Sequence, residues 1–127
     1  TNEFRPLILV AEDDDSNFKL IKAIIGKKCD IQWAKNGEEI VALFKEYGKE
    51  AKAILMDIKM PVMNGLDATK IIREENKEIP IIMQTAYAFS SDKENAMNAG
   101  ASEVLVKPIT LSILRGTLTK YFPELVW

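Results

Sequence analysis

The chain has 127 residues, enough for one domain that buries about two-thirds of the surface its unfolded form exposes. It is 47% hydrophobic and 28% charged with a net charge of −2, an ordinary globular composition that leaves no broad basic surface for nucleic acid or anionic lipid. No apolar run approaches the roughly 20 residues of a membrane span, and no stretch has the layout of a secretory leader. Cys29 is the sole cysteine, so no internal disulfide can form. It reads as a packing residue in a reducing, cytoplasmic setting. Histidine is absent, which removes the usual general base and any phosphohistidine from this chain.

Residues 1–6 form a short polar lead. Leu7-Ile8-Leu9-Val10-Ala11 is an unbroken apolar run, as in a strand buried on both faces of a parallel sheet, and it meets four acids, Glu12 to Asp15. Asp15 or Ser16 is placed to cap a helix in which Phe18, Ile21, Ile24 and Ile25 recur at helical spacing, ended by Gly26. Asp30-Ile31-Gln32-Trp33-Ala34 alternates and reads as a short edge strand. Asn36 and Glu39 have capping-box spacing ahead of a helix burying Ile40, Val41, Phe44 and Tyr47, which Gly48 stops.

The third strand, 53–56, runs straight into Asp57. Met60-Pro61 and Asn64-Gly65 mark the loop before a helix at about 66–75. Ile79-Pro80 leads into a strand at 81–84 that ends on Thr85-Ala86. Ser90 or Ser91 caps a short polar helix, 92–98, which Gly100 terminates. A fifth strand at 103–106 runs into Lys107-Pro108. Thr110 caps the last helix, expected to bury Ile113, Leu114, Leu118 and Phe122 before Pro123 ends it. Gly116 inside that helix costs about 1 kcal/mol against alanine, so packing must hold it. There is no repeat, low-complexity tract or second domain, so residues 1–127 read as a single domain with its core at about 6–122.

Five strands alternating with five helices predict an α/β fold: a doubly wound, flavodoxin-like, five-stranded parallel sheet with helices on both faces. With the Trp33 strand at an edge, the expected order is 2-1-3-4-5. Glu12, Asp13, Asp57, Thr85 and Lys107 then converge beyond the carboxyl ends of the strands, where open α/β sheets bind ligands. One acid alone would read as a solvated loop charge. Four matched strand ends point to a site.

Three adjacent carboxylates repel one another unless a cation joins them. All the ligands are hard oxygens, and Mg²⁺ suits one or two carboxylates with waters and phosphate oxygens. Asp57 is then a nucleophile, Thr85 a hydroxyl donor and Lys107 a point charge for a phosphoryl oxygen. That set suits phosphoryl transfer, which needs positioning and charge stabilisation above all. The alternative is a structural cluster in which Lys107 simply pairs with Asp57.

The chain resembles the receiver domain of two-component signal transduction. The resemblance rests on Val10-Ala11-Glu12-Asp13-Asp14, on the stretch from Met56-Asp57 through Met60-Pro61 to Asn64-Gly65, on Thr85-Ala86 and on Lys107-Pro108. It is strongest with receivers attached to hybrid sensor histidine kinases, through Met60 to Leu66, Ala68-Thr69 and Lys107-Pro108-Ile109. The resemblance implies that Asp57 takes a phosphoryl group from a phosphohistidine on a histidine kinase or histidine phosphotransfer protein and that the domain then switches conformation. It implies that Asp13, Asp57 and the main-chain carbonyl of Lys59 bind Mg²⁺ directly and Glu12 through water. Thr85 and Lys107 would hold the phosphoryl oxygens, and the Lys107–Pro108 bond would be cis. An isolated domain of this kind is not an enzyme beyond assisting its own phosphorylation and dephosphorylation, and no direct contact with nucleic acid or membrane is expected.

Two positions depart from the family. Glu12 stands where aspartate is common, and Val104 where an aromatic switch residue is usual. The resemblance implies that Thr85 moves toward the phosphoryl group and that a ring fills the space it leaves; Val104 is too short to sweep that volume, and Tyr87 and Phe89 are the nearest candidates in sequence. Phe18, Ile21 and Ile109 fall near the expected pocket, as docking residues or as core. A dehalogenase-type aspartyl-phosphate hydrolase would want an acid where Lys59 stands, a pseudo-receiver would need a degraded site, and a flavin module would not place four acids after its first strand.

Overall fold

The computed structural model describes residues 4–86 and 91–127. Its strands are β1 (Leu7–Ala11), β2 (Asp30–Ala34), β3 (Ala51–Asp57), β4 (Ile81–Thr85) and β5 (Glu103–Val106). They form one parallel sheet in the order β2-β1-β3-β4-β5. The register brings the strand ends together: Ala11 lies beside Ala34 and Met56, Asp57 beside Gln84, and Thr85 beside Val106. β3 begins two residues earlier than its apolar run suggests, because Ala51 is buried and only Lys52 points outward.

The helices are α1 (Asp15–Ile25), α2 (Gly37–Tyr47), α3 (Gly65–Glu75), α4 (Ser91–Ala99) and α5 (Leu111–Tyr121). Alternate strand residues face opposite sides of the sheet, and this divides the core in two. Ile8, Val10, Ala53, Leu55 and Ile82 pack under α1 and α5, against Ile21, Ile25, Leu114 and Leu118. Leu9, Ile54, Met56, Ile81 and Met83 pack under α2, α3 and α4, against Ile40, Phe44, Ile72 and Ala96. Each fully buried isoleucine or leucine contributes about 1.5–3 kcal/mol over its exposed state, so the central strands carry much of the fold's stability.

Local signals set most helix ends. Asn36, Asn64 and Thr110 each accept a hydrogen bond from the main-chain N–H three residues on. The α1 cap corrects the expectation of Asp15 or Ser16. Asp14 has the extended backbone of a cap and accepts from the N–H groups of Ser16 and Asn17, so the helix starts at Asp15. Glu39 reaches back as expected, though to the N–H of Lys35 rather than to that of Asn36. α4 starts at Ser91, while Ser90 lies outside the described residues, as do Tyr87 and Phe89.

Two expectations for buried stripes fail in detail. Ile113 is 46% exposed, because the inward stripe of α5 runs through Leu114, Thr117 and Leu118, one position round the helix. Phe122, Val41 and Tyr47 are half-buried at the cluster margins. Packing also continues past residue 122, since Leu125 is buried and the Trp127 indole donates to Thr119 Oγ1 at 2.9 Å.

Candidate functional site

Each strand that ends at the centre of the sheet delivers at least one group to a common cleft. Glu12 follows β1, and its main chain is held by β2: its N–H donates to the Ala34 carbonyl at 2.9 Å, and its carbonyl accepts from Trp33 Nε1 at 2.8 Å. Its side chain is 0% exposed. Asp57 closes β3 and is 5% exposed, whereas Asp13 is open to solvent. One carboxylate oxygen from each of Glu12, Asp13 and Asp57 lies within 4.8 Å of the others.

Lys107 reaches the same point from the end of β5. Its N–H donates to the Thr85 carbonyl at 2.7 Å, and its peptide bond to Pro108 is cis, as the resemblance implied. The side chain turns back so that Nζ donates to Asp57 Oδ2 at 3.0 Å and lies 3.6 Å from Glu12 Oε2. Thr85, buried at the end of β4, donates its hydroxyl to Asp92 Oδ2 at 3.3 Å.

The loop after β3 is pinned close to the cleft. The N–H of Ile58 donates to Gln84 O at 3.1 Å, and that of Gly65 to Ile58 O at 2.8 Å. A side chain at Gly65 would put its Cβ 2.2 Å from the Asp57 carbonyl, so this close approach needs glycine. Glu12, Asp13, Asp57, Lys59, Thr85 and Lys107 all line the resulting cleft of about 210 Å³.

Burial first, then the neighbouring Asp57 charge, push the Glu12 carboxyl up to about 7 against the opposing pull of Lys107. At Lys107 burial favours the neutral amine, but the hydrogen bond and charge of Asp57, with Glu12 behind, outweigh it and raise the pKa. Among the described residues, Glu12 Oε2 is buried with no hydrogen-bond donor, its one cationic neighbour being Lys107 Nζ at the longer ion-pair distance of 3.6 Å. A buried carboxylate oxygen left without a donor, beside two more carboxylates, is a fit for a small divalent cation. The Lys107–Asp57 pair is present as well, so the pairing read as an alternative from sequence occurs within the same cluster.

Every expected site residue therefore lines one cleft. Sequence reasoning missed two partners. Asp92 reads only as a helix start, and nothing local in the sequence ties it to Thr85. The Trp33–Glu12 bond spans 21 residues and is visible only once β2 lies beside β1. Of the three residues read as docking or core, Ile21 and Ile109 are buried, and Phe18 lies half-buried against Trp33. Among the described residues, no helix is long and apolar enough to cross a membrane.

Comparison with known proteins agrees with this geometry. Residues 8–119 match the response regulator receiver domain family. Hybrid signal transduction histidine kinase I of Dictyostelium discoideum is 41% identical over 129 residues, spanning 92% of this chain. The chain covers only 7% of that kinase, and 4% and 12% of two further hybrid or sensor kinases it matches. The receiver domain of the sensor histidine kinase PA1611 from Pseudomonas aeruginosa, solved with a magnesium ion in its active-site cleft, superposes with a TM-score of 0.86 at 30% identity, covering 94% of this chain and 99% of that one. The receiver domain of Saccharomyces cerevisiae Ssk1, solved with the histidine phosphotransfer protein Ypd1, gives a TM-score of 0.86 at 28% identity, covering 99% and 96%. With a family match across nearly its whole length and the acidic cleft at the carboxyl edge of the sheet, this chain belongs to the response regulator receiver domains of two-component signalling.

Proposed function

We propose that Asp57 accepts a phosphoryl group from a phosphohistidine on a histidine kinase or histidine phosphotransfer protein, in a Mg²⁺-dependent step of a phosphorelay. The observation that carries this reading is the pairing of the nearly buried Asp57 carboxylate with Lys107 Nζ at 3.0 Å, beside the orphaned oxygen of Glu12. An Asp57 oxygen attacks phosphorus as the bond to the donor imidazole nitrogen breaks, and the electron pair leaves with the imidazole. Lys107 can follow the negative charge from the carboxylate to a phosphoryl oxygen, and the Thr85 hydroxyl can turn to another. Asp13, Asp57 and the Lys59 carbonyl would hold Mg²⁺ directly, with Glu12 holding a bound water. The ion supplies charge neutralisation for the incoming phosphoryl oxygens.

The magnesium-bound Pseudomonas receiver and the Ypd1-bound yeast receiver support the cofactor and the donor class. The Dictyostelium and LuxQ relatives support a hybrid histidine kinase as the parent chain. In this reading residues 1–127 act as one domain in the cytoplasm, without direct contact with nucleic acid or membrane. The domain is no enzyme by itself, beyond assisting the gain and loss of its own phosphoryl group.

Incubation with acetyl phosphate and Mg²⁺ should add one acid-stable, base-labile phosphate, read by intact mass. Phosphate uptake by Asp57→Asn at the wild-type rate would show that the acceptor lies elsewhere.

A further inference from the structure

Trp33 lies outside the groups expected to touch metal or phosphate, yet its one polar atom is spent on them. Trp33 Nε1 donates to the Glu12 carbonyl at 2.8 Å, and Ala34 O accepts from the Glu12 N–H at 2.9 Å. Both main-chain groups of Glu12 are thus fixed by adjacent residues of β2. The indole is fixed in turn. It lies flat on the Phe18 ring, centroids 3.9 Å apart and planes 2° from parallel, and the Lys35 ammonium sits 4.8 Å from its centroid. Phe18 belongs to the start of α1, where its N–H donates to Asp14 O at 3.0 Å. Lys35 Nζ also lies 3.6 Å from Asp15 Oδ1.

The acidic segment from Glu12 to Asp14 is therefore held at both ends, by Trp33 at one and by the Phe18 turn at the other, and the two holders are stacked on each other. This matters because the segment's own charges push it apart. Glu12 and Asp13 face Asp57 in one cluster that Lys107 neutralises only in part, and the remaining repulsion works against the order of the segment until a further cation joins it. A rigid donor on the Glu12 carbonyl keeps the segment in register before any ion arrives, so that binding does not bear the cost of ordering it.

Resting on the metal-binding reading above, we propose that Trp33 is a positioning residue that, stacked on Phe18, preorganises the Glu12–Asp13 segment and so strengthens Mg²⁺ binding. A stack that merely covers the sheet edge would affect stability alone.

The test is a titration with Mg²⁺ alone of the wild-type chain, Trp33→Phe, which keeps a ring on Phe18 but loses the N–H, and Phe18→Leu, which keeps the N–H but loses the stack. Calorimetry should give Trp33→Phe a Mg²⁺ affinity roughly tenfold weaker, the size of loss that removing a ligand's supporting partner produces. Phe18→Leu should be weakened in the same direction, with far-UV dichroism unchanged in both. In wild-type NMR spectra the Trp33 indole N–H should shift on adding Mg²⁺, while that of Trp127, bonded to Thr119, stays put. An unchanged Kd in Trp33→Phe overturns the proposal even if thermal stability falls. Should that variant not fold, an unchanged Kd in Phe18→Leu overturns it equally. A wild-type chain that binds no Mg²⁺ defeats the metal reading itself, which is a different result from a wild-type chain and Trp33→Phe that bind it alike.

Discussion

The Thr85 hydroxyl donates to the Asp92 carboxylate across 3.3 Å and so ties the end of β4 to the first turn of α4. A hydroxyl has one proton to give. Thr85 cannot hold Asp92 and donate to a phosphoryl oxygen on Asp57 at the same time. Under the phosphoacceptor reading proposed above, phosphorylation and the α4 tie would be alternatives, in a chain whose Val104 has no ring to swing.

Asp92→Ala should therefore move the resting protein part of the way toward its activated form. In NMR spectra its Thr85 and α4 amides, without ligand, should lie nearer the positions that wild type reaches with beryllofluoride and Mg²⁺. The Val104 methyls should keep one rotamer throughout. A resting Asp92→Ala spectrum unchanged beyond the mutated residue's neighbours would dismiss the tie as incidental.

The raised pKa of Glu12 gives stability a pH dependence of definite sign. The folded chain holds this proton to about 7, against an ordinary value of 4.5, so it binds the proton more tightly than the unfolded chain does. The resulting stabilisation is fully present below about 4.5 and is lost as pH rises through about 7. In the presence of a chelator the unfolding midpoint in urea should fall across that window, and Glu12→Gln should flatten the slope. Mg²⁺ competes with the proton, so adding it should restore stability most at the alkaline end.

Asp13 is the most exposed of the three clustered carboxylates. Asp13→Ala removes repulsion from the metal-free cleft and should leave that form as stable or up to about 1 kcal/mol more stable. Mg²⁺ affinity should fall by roughly tenfold or more. A metal titration matching wild type would exclude Asp13 as a ligand.

Val62 stands 75% exposed at φ 70°, in a three-residue turn closed by the Met63 N–H on Pro61 O at 2.7 Å. A β-branched residue in this γ-turn of positive φ is strained by about 1–2 kcal/mol, and glycine, with no Cβ, takes the conformation more easily. Val62→Gly should stabilise the fold by up to about 1 kcal/mol in urea denaturation and leave Mg²⁺ binding unchanged. No gain in stability would mean that the turn relaxes without cost.

β1, β3 and β4 were legible because apolar runs on a doubly covered sheet cannot alternate, β2 because an edge strand does, and the site because Asp57, Thr85 and Lys107 each come at the end of a strand. The errors fall where local signals are degenerate. Four consecutive acids offer several possible caps, and only backbone geometry selects Asp14. Ile113 and Leu114 are adjacent apolar residues a hundred degrees apart on a helix, so the pattern alone does not say which one faces Leu118. The Trp33–Glu12 and Thr85–Asp92 bonds were invisible for another reason. Each depends on tertiary placement, and neither residue type announces its partner.

Burial of Cys29 has a practical consequence. The thiol is 2% exposed, and desolvation pushes its pKa up to about 11, so it is neither accessible nor ionised near neutral pH. The native chain is thus nearly silent to thiol-directed labels and needs no cysteine removed before labelling. Gly116 faces open space on α5, with nothing within 4 Å of an added Cβ. A Gly116→Cys chain would carry one addressable thiol on an exposed face of α5, outside the residues that line the acidic cleft, where a dye or spin label could test for docking of the phosphodonor proposed above.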